Sequence, residues 1–90
     1  NSQIFAQFKI PVSAGDTFIA KTIHHSEGVP GWSFSDSSLH VVSVCDIITN
    51  PASVTYETIK APNGTQWLWF SYIISNANAN YVAPYLAKIS

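Results

Sequence analysis

Residues 67–75 read WLWFSYIIS, and this stretch decides the fold class. Successive side chains of a β-strand point to opposite faces of the sheet. One face is therefore uniformly rich in large apolar groups and is predicted to be core: Leu68, Phe70, Tyr72 and Ile74. The other face carries Trp67 and Trp69, which we expect to be partly exposed or covered by a partner. The alternative is that both tryptophans close the second side of a sandwich, because most tryptophans are mainly buried.

Segments with the same period of two recur on both sides of this stretch, separated by turn-forming residues. They are residues 4–10, 17–24, a short segment with Trp32 and Phe34, 39–48, 54–60 and 81–89. Seven short strands at this spacing predict an all-β, antiparallel two-sheet β-sandwich. The chain of 90 residues is expected to form this single domain over its whole length, as a fragment of a longer protein.

Two local patterns give more detailed expectations. Residues 39–48 (LHVVSVCDII) are apolar on both faces, which predicts a central strand covered on both sides. Asn63-Gly64 lies between two alternating segments and predicts a hairpin with a type I′ turn.

The chain carries unusually little charge. Charged residues make up 10% of the sequence, against about 25% in ordinary soluble domains. There is no arginine, and the four lysines are scattered, so nucleic-acid binding is not expected. No apolar run is long enough for a membrane helix, so no membrane insertion is expected either. A surface this poor in charge is typical of a protein that faces another chain or domain; the alternative is a neutral, polar surface on a monomer.

Few residues point to catalysis or to a metal. Cys45 has no second cysteine to pair with and is expected to be a buried, inert thiol. His24 and His25 are neighbours, so on a strand they point to opposite faces, and no ligand spacing typical of zinc is present. We therefore expect no metal, no cofactor and no catalytic residue. A small hydrolase using Asp36 and Glu57 remains the enzymatic alternative.

The aromatic residues point to a different chemistry. Sugars present flat C–H faces that stack on tryptophan and tyrosine rings, which offer a large area at little cost in rotamer entropy. Trp32 follows a Gly-Val-Pro-Gly loop, where ligand-contacting rings often lie. The alternative for Trp32 is a plug over one end of the core.

Two segments resemble a known family. Residues 8–26 (FKIPVSAGDTFIAKTIHHS) look like the first hairpin of jelly-roll carbohydrate-binding modules, and residues 67–90 (WLWFSYIISNANANYVAPYLAKIS) are similar to their closing pair of strands. Such domains recur at the C-terminal end of trimeric phage tail spikes and fibres. The resemblance implies a jelly-roll-like, non-catalytic terminal module of a phage receptor-binding protein. It would be made in the bacterial cytoplasm and carried on the virion, exposed to the extracellular medium.

The implied partners are bacterial surface polysaccharide and the sister subunits of a homotrimer. The expected carbohydrate-binding residues are Trp32, Trp67 and Tyr85 for stacking, with Asp36 and His25 as hydrogen-bonding partners. Two alternatives stay open: a purely structural trimerisation cap that binds no sugar, and a free-standing lectin-like domain.

Overall fold

The computed structural model describes residues 5–24, 30–48, 50–77 and 79–90. Its seven strands are β1 (Phe5–Pro11), β2 (Thr17–Lys21), β3 (Trp32–Ser35), β4 (Val41–Val44), β5 (Glu57–Lys60), β6 (Trp67–Ile73) and β7 (Tyr85–Lys88). They form a four-stranded sheet in the order β1-β6-β3-β4 and a three-stranded sheet in the order β5-β2-β7. Every pairing is antiparallel. The prediction of an all-β, antiparallel two-sheet sandwich of about seven strands is confirmed.

The connections run mostly from one sheet to the other. Of the consecutive strands, β3 and β4 alone pair with each other, whereas β1 pairs with β6, and β2 pairs with β5 and β7. The first hairpin and the closing pair implied by the resemblance are therefore wrong. Gly15 lies where the chain leaves one sheet for the other, and its N–H donates to the Ala61 carbonyl at 2.8 Å. This turn therefore links the β1–β2 connection to the β5–β6 connection by a hydrogen bond and does not close a hairpin.

The interior is formed mainly by one cluster between the two sheets. Its buried members are Val12, Phe18, Ala20, Phe34, Ile59, Ala61, Leu68 and Phe70. The predicted core positions Leu68 and Phe70 are confirmed, and Tyr72 packs against the same cluster half-buried. Ile74 is exposed, which contradicts the prediction, because β6 ends one residue earlier.

A second, smaller cluster explains why the pattern changes at the end of β6. Ile73 lies on the face opposite to Phe70 and Tyr72, yet it is buried with Ile23, Val54 and Val82. The chain after β2 crosses over this end of β6, where the Thr22 hydroxyl donates to the Ser71 carbonyl at 2.6 Å. Both faces of β6 are therefore covered at this end, and its other end leaves one face open.

The segment 39–48 differs from the prediction of a central strand. Only Val41–Val44 is a strand, and it lies at the edge of its sheet with exposed valines. A bulge shifts its register with β3 between Phe34 and Ser35. The run is apolar on both faces, but the part of the chain that the structure describes covers neither of them fully.

The Asn63-Gly64 hairpin is also wrong. Gly64 has a φ of 84°, but Leu39 is the one non-glycine residue within the described ranges whose φ is positive. A type I′ turn needs positive φ at both central positions. The turn instead carries the chain from β5 in one sheet to β6 in the other.

Gly31 is a point where a side chain has no room. A Cβ at this position would lie 2.6 Å from the Ile23 carbonyl oxygen and 2.9 Å from the Thr22 Cγ2. We expect Gly31→Ala to lower the free energy of unfolding by about 1–3 kcal/mol, because the crossing segment would have to move. Urea unfolding measures this, with Ser37→Ala in the exposed β3–β4 turn as control. Equal stability of the two variants would contradict the close packing of Gly31.

Candidate functional site

The outer surface of the four-stranded sheet carries an aromatic patch. Residues that lie directly opposite each other on neighbouring strands share a face. Trp67 is opposite Ser35, and Trp69 is opposite both Ser33 and Lys9. We call this surface the tryptophan face and define it by Lys9, Ser33, Ser35, Trp67 and Trp69. Both rings are half-buried, so each keeps part of its surface open to solvent.

Three contacts hold the rings of the tryptophan face in place. The Lys9 Nζ lies 4.4 Å from the ring centroid of Trp67 and 5.3 Å from that of Trp69. The Trp69 Nε1–H donates to the Ser35 Oγ at 3.0 Å. Cation–π contacts at exposed sites contribute about 0.5–1 kcal/mol each. The two rings thus form a platform whose orientation is set before any ligand arrives.

Polar groups border this platform. The Gln7 side chain lies one pleat further along β1, and its Nε2 donates to the Ser71 Oγ at 3.0 Å. Lys9 is exposed beside both rings. Flat rings flanked by donors of hydrogen bonds are the combination that sugar recognition requires.

Of the predicted site residues, Trp67 lies on the tryptophan face, but Trp32 does not. Trp32 is opposite Phe70 and therefore points towards the interior. Its ring is half-buried against the main core cluster, with its centroid 5.7 Å from that of Phe34. This geometry supports the alternative reading of Trp32 as a ring that packs over the core.

Tyr85 lies on the outer surface of the other sheet. It pairs with Lys21 in the register of β2 and β7, and its ring centroid is 5.5 Å from that of Tyr56. The Lys21 Nζ is 4.9 Å from the Tyr56 ring, so this surface repeats the lysine–aromatic arrangement of the tryptophan face. Tyr85 and Trp67 thus lie on the outer surfaces of different sheets and do not form one site.

Asp36 is used by its own turn. Its Oδ1 accepts hydrogen bonds from the backbone N–H groups of Ser38 and His40, both at 2.9 Å. Its Oδ2 is 3.7 Å from the His40 Nδ1. The carboxylate therefore stabilises the β3–β4 turn, at the end of the sheet where Trp67 lies. His25, the remaining predicted residue, lies outside the described residues.

A cluster around a buried histidine was missed by the sequence reasoning. His24 is 2% exposed, and its Nδ1 donates to the Asp46 carbonyl oxygen at 2.6 Å. Its Nε2 is 2.7 Å from the Glu57 Oε2, but the N–H does not point at the carboxylate, so this contact is ionic. We call His24, Cys45, Asp46 and Glu57 the histidine cluster.

The histidine cluster favours the charged form of His24. Burial alone would lower the pKa of His24. Contacts with the Cys45 side chain, the Asp46 carbonyl and the Glu57 carboxylate outweigh this effect and raise the pKa from 6.5 to about 9. The sequence contains a signal for the burial of His24. In the predicted strand 17–24, His24 lies on the same face as Phe18, Ala20 and Thr22, all of which are buried. Cys45 is a buried free cysteine, as predicted.

The described residues offer no enclosed site for chemistry. They contain no pocket and no group of three His, Cys, Asp or Glu side chains that would hold a metal ion. No helix within the described ranges has the length and apolar character needed to cross a membrane. Open surfaces are therefore the candidate sites in this part of the chain.

In comparisons with known proteins, the chain matches no family model, no curated protein and no solved structure.

Proposed function

We propose that this chain is a non-catalytic β-sandwich module that binds carbohydrate through the tryptophan face. The observation that carries the proposal is the pair of half-exposed rings, Trp67 and Trp69, held side by side by Lys9 and Ser35. Because these contacts orient the rings beforehand, little side-chain entropy is lost on binding. Each ring stacked on a sugar contributes on the order of 1 kcal/mol.

The charge on the tryptophan face narrows the ligand class. Lys9 is exposed beside both rings, and no acidic residue is paired with it in the sheet register. An ammonium group in this place favours sugars that carry a carboxylate or another anionic group. Two stacked rings give weak binding, so a repeated polymer that engages several copies at once suits the site better than a single sugar.

The wider setting rests on the resemblance. The low charge and the sequence of the two terminal segments, but not the pairing of their strands, support a terminal module of a phage tail spike or fibre, carried on the virion and in contact with bacterial surface polysaccharide. The two-sheet sandwich is compatible with that setting.

Binding to an array of acidic and neutral bacterial polysaccharides tests the proposal. We expect Trp67→Ala and Trp69→Ala each to weaken binding by about five-fold, and the double variant by about thirty-fold, if the ring contributions add. Tyr85→Ala, on the outer surface of the other sheet, is the matched control and should bind as the parent does. Unchanged binding by the double variant would exclude the tryptophan face, and a loss with Tyr85→Ala would assign the site to the other sheet.

A second candidate function is supported by a different observation. The β4 edge and the residues after it expose several large apolar side chains, among them Val41, Val42, Val44 and Ile47. Such a surface suits a structural cap that packs against the sister subunits of a homotrimer and binds no sugar. Light scattering together with the array separates the two: a stable trimer that binds no glycan favours the cap.

A further inference from the structure

The platform of the tryptophan face continues across the sheet towards β4. Ser33 and Ser35 lie on the outer surface of β3, yet they are only 5% and 1% exposed. The Trp69 Nε1–H donates to the Ser35 Oγ at 3.0 Å, and this bond brings the indole ring over β3. The two serine side chains are small enough to leave room for the ring. The platform therefore reaches from β6 across β3 to the border of β4.

Two exposed valines extend this platform on β4. Val44 is opposite Ser33 and Val41 is opposite Ser35, so both valines share the outer surface with the tryptophans. Val44 is 51% exposed and Val41 is 63% exposed. Neighbouring strands are about 4.8 Å apart, so the distance from β1 to β4 is about 14 Å, the length of a short oligosaccharide. We call these residues the cross-strand strip: Lys9, Trp67, Trp69, Val41 and Val44.

The open surface runs across the strands and not along them. The side chains of β6 that follow Trp69 on the same face are Ser71 and Ile73, which are 2% and 1% exposed. The segment after β2 crosses β6 here, and Ile23 packs against Ile73. A ligand that lay along β6 would meet this segment directly after Trp69. Both ends of the cross-strand strip, in contrast, stay exposed within the described residues.

The two ends of the cross-strand strip differ in chemistry. At the β1 end, the exposed Lys9 holds its Nζ 4.4 Å from the ring centroid of Trp67, and an ammonium group in this place attracts an anionic group. The β4 end is apolar, and the turn between β3 and β4 carries the Asp36 carboxylate, which repels an anion. Exposed valines favour a methyl group of the ligand, because contact removes apolar area from water.

We infer that the tryptophan face binds an acidic oligosaccharide that crosses the strands, with an anionic unit at Lys9 and a methyl-bearing unit on Val41 and Val44. Acetamido sugars and 6-deoxy sugars are the units that carry such a methyl group. The two rings stack on the part of the ligand between these ends. The inference rests on the proposed function, because it names the ligand class of the tryptophan face and the direction in which the ligand lies.

Four oligosaccharides of equal length separate the contributions of the two ends. A hyaluronan tetrasaccharide carries carboxylates and acetamido methyl groups, tetragalacturonate carries carboxylates alone, chitotetraose carries acetamido groups alone, and cellotetraose carries neither. Calorimetric titration of the parent chain with each probe gives four affinities. We expect cellotetraose to bind most weakly, because it has no group for either end.

Variants at the two ends should change different ratios of these affinities. Val44→Thr keeps the branched shape of the side chain and replaces a methyl group with a hydroxyl. It should lower the affinity for the hyaluronan tetrasaccharide relative to tetragalacturonate by about three- to four-fold, the effect of one buried methyl group. Lys9→Gln should lower the affinity for the hyaluronan tetrasaccharide relative to chitotetraose. Ile89→Thr is the matched control, because Ile89 is 56% exposed and follows β7 in the other sheet.

Saturation-transfer NMR tests the direction of the ligand. The acetamido methyl protons of the hyaluronan tetrasaccharide should receive strong saturation from the parent chain and less from Val44→Thr. Affinity ratios and methyl saturation that Val44→Thr leaves as in the parent overturn the inference, and the proposed function then stands if Trp67→Ala still weakens binding. Binding that survives Trp67→Ala removes the proposed function as well. A chain that binds none of the probes overturns the inference, and so does an oligomer that Val44→Thr dissociates in sedimentation, which would assign the valines to the structural cap.

Discussion

Replacing Phe70 with alanine is expected to lower the free energy of unfolding by about 3–5 kcal/mol. Phe70 is 2% exposed and lies in the main core cluster at the middle of β6, which pairs with β1 on one side and β3 on the other. Its ring packs near those of Phe8 and Tyr72, with centroids 5.6 and 6.2 Å away. Neighbours fixed on three strands cannot collapse into the space, so both burial and packing are lost. Domains of this size are stable by roughly 5–15 kcal/mol, so the variant would be close to unfolding.

Phe8→Ala is the matched control for this prediction. Phe8 is directly opposite Phe70 in the register of β1 and β6 and faces the same side, but it is 39% exposed. Its replacement leaves a space that solvent and neighbours fill, so the loss should be clearly smaller than for Phe70→Ala. Denaturant unfolding of both variants gives the comparison. Equal losses would mean that the main cluster extends over β1 and is centred elsewhere than at Phe70.

The second large effect is a loss of stability as the pH rises. The pKa of His24 is 6.5 when unperturbed and about 9 in the folded chain. The folded state therefore binds the proton more tightly than the unfolded state does. The stabilisation is fully present below pH 6.5 and is lost as the pH rises through about 9. A difference of this size corresponds to about 3 kcal/mol.

Urea unfolding at a series of pH values between neutral and alkaline measures this loss. Glu57→Gln removes the carboxylate next to the His24 Nε2 and should shrink the loss, because the charged imidazole would have one attractive partner fewer. His40→Gln is the control, since His40 is exposed in the β3–β4 turn. A parent chain whose stability does not change over this range would show that His24 is not held in its charged form.

Sequence pattern was sufficient for β6 and insufficient at its end. The period of two assigned Leu68 and Phe70 to the core, because their side of the strand meets a whole sheet. It failed at Ile73 and Ile74, where the segment after β2 crosses the opposite side of the strand. Alternation reports which residues share a face, but not which segment of a distant part of the chain covers that face.

The same limit explains the error at residues 39–48. An apolar run has the same sequence whether it lies in the middle of a sheet or at its edge, so its composition predicts a central strand where the structure has the edge strand β4. Asn63-Gly64 likewise identified a turn, but the partner of the following strand depends on long-range pairing that a dipeptide does not encode. The candidate site was affected in the same way: Trp67 and Tyr85 are both aromatic strand residues, and only the sheet order separates them.

The alternation of the chain between its two sheets also has a consequence for synthesis and refolding. β1 cannot pair before β6 has been synthesised, and β2 cannot pair before β5 and β7. Of the neighbouring strands in the sequence, β3 and β4 alone can pair early. Long stretches of chain have to be brought together before most contacts form, which places folding in the range of about milliseconds to seconds. A nascent chain on the ribosome would keep unpaired strands until β7 has emerged. Deleting β7 should therefore abolish the native state instead of trimming it.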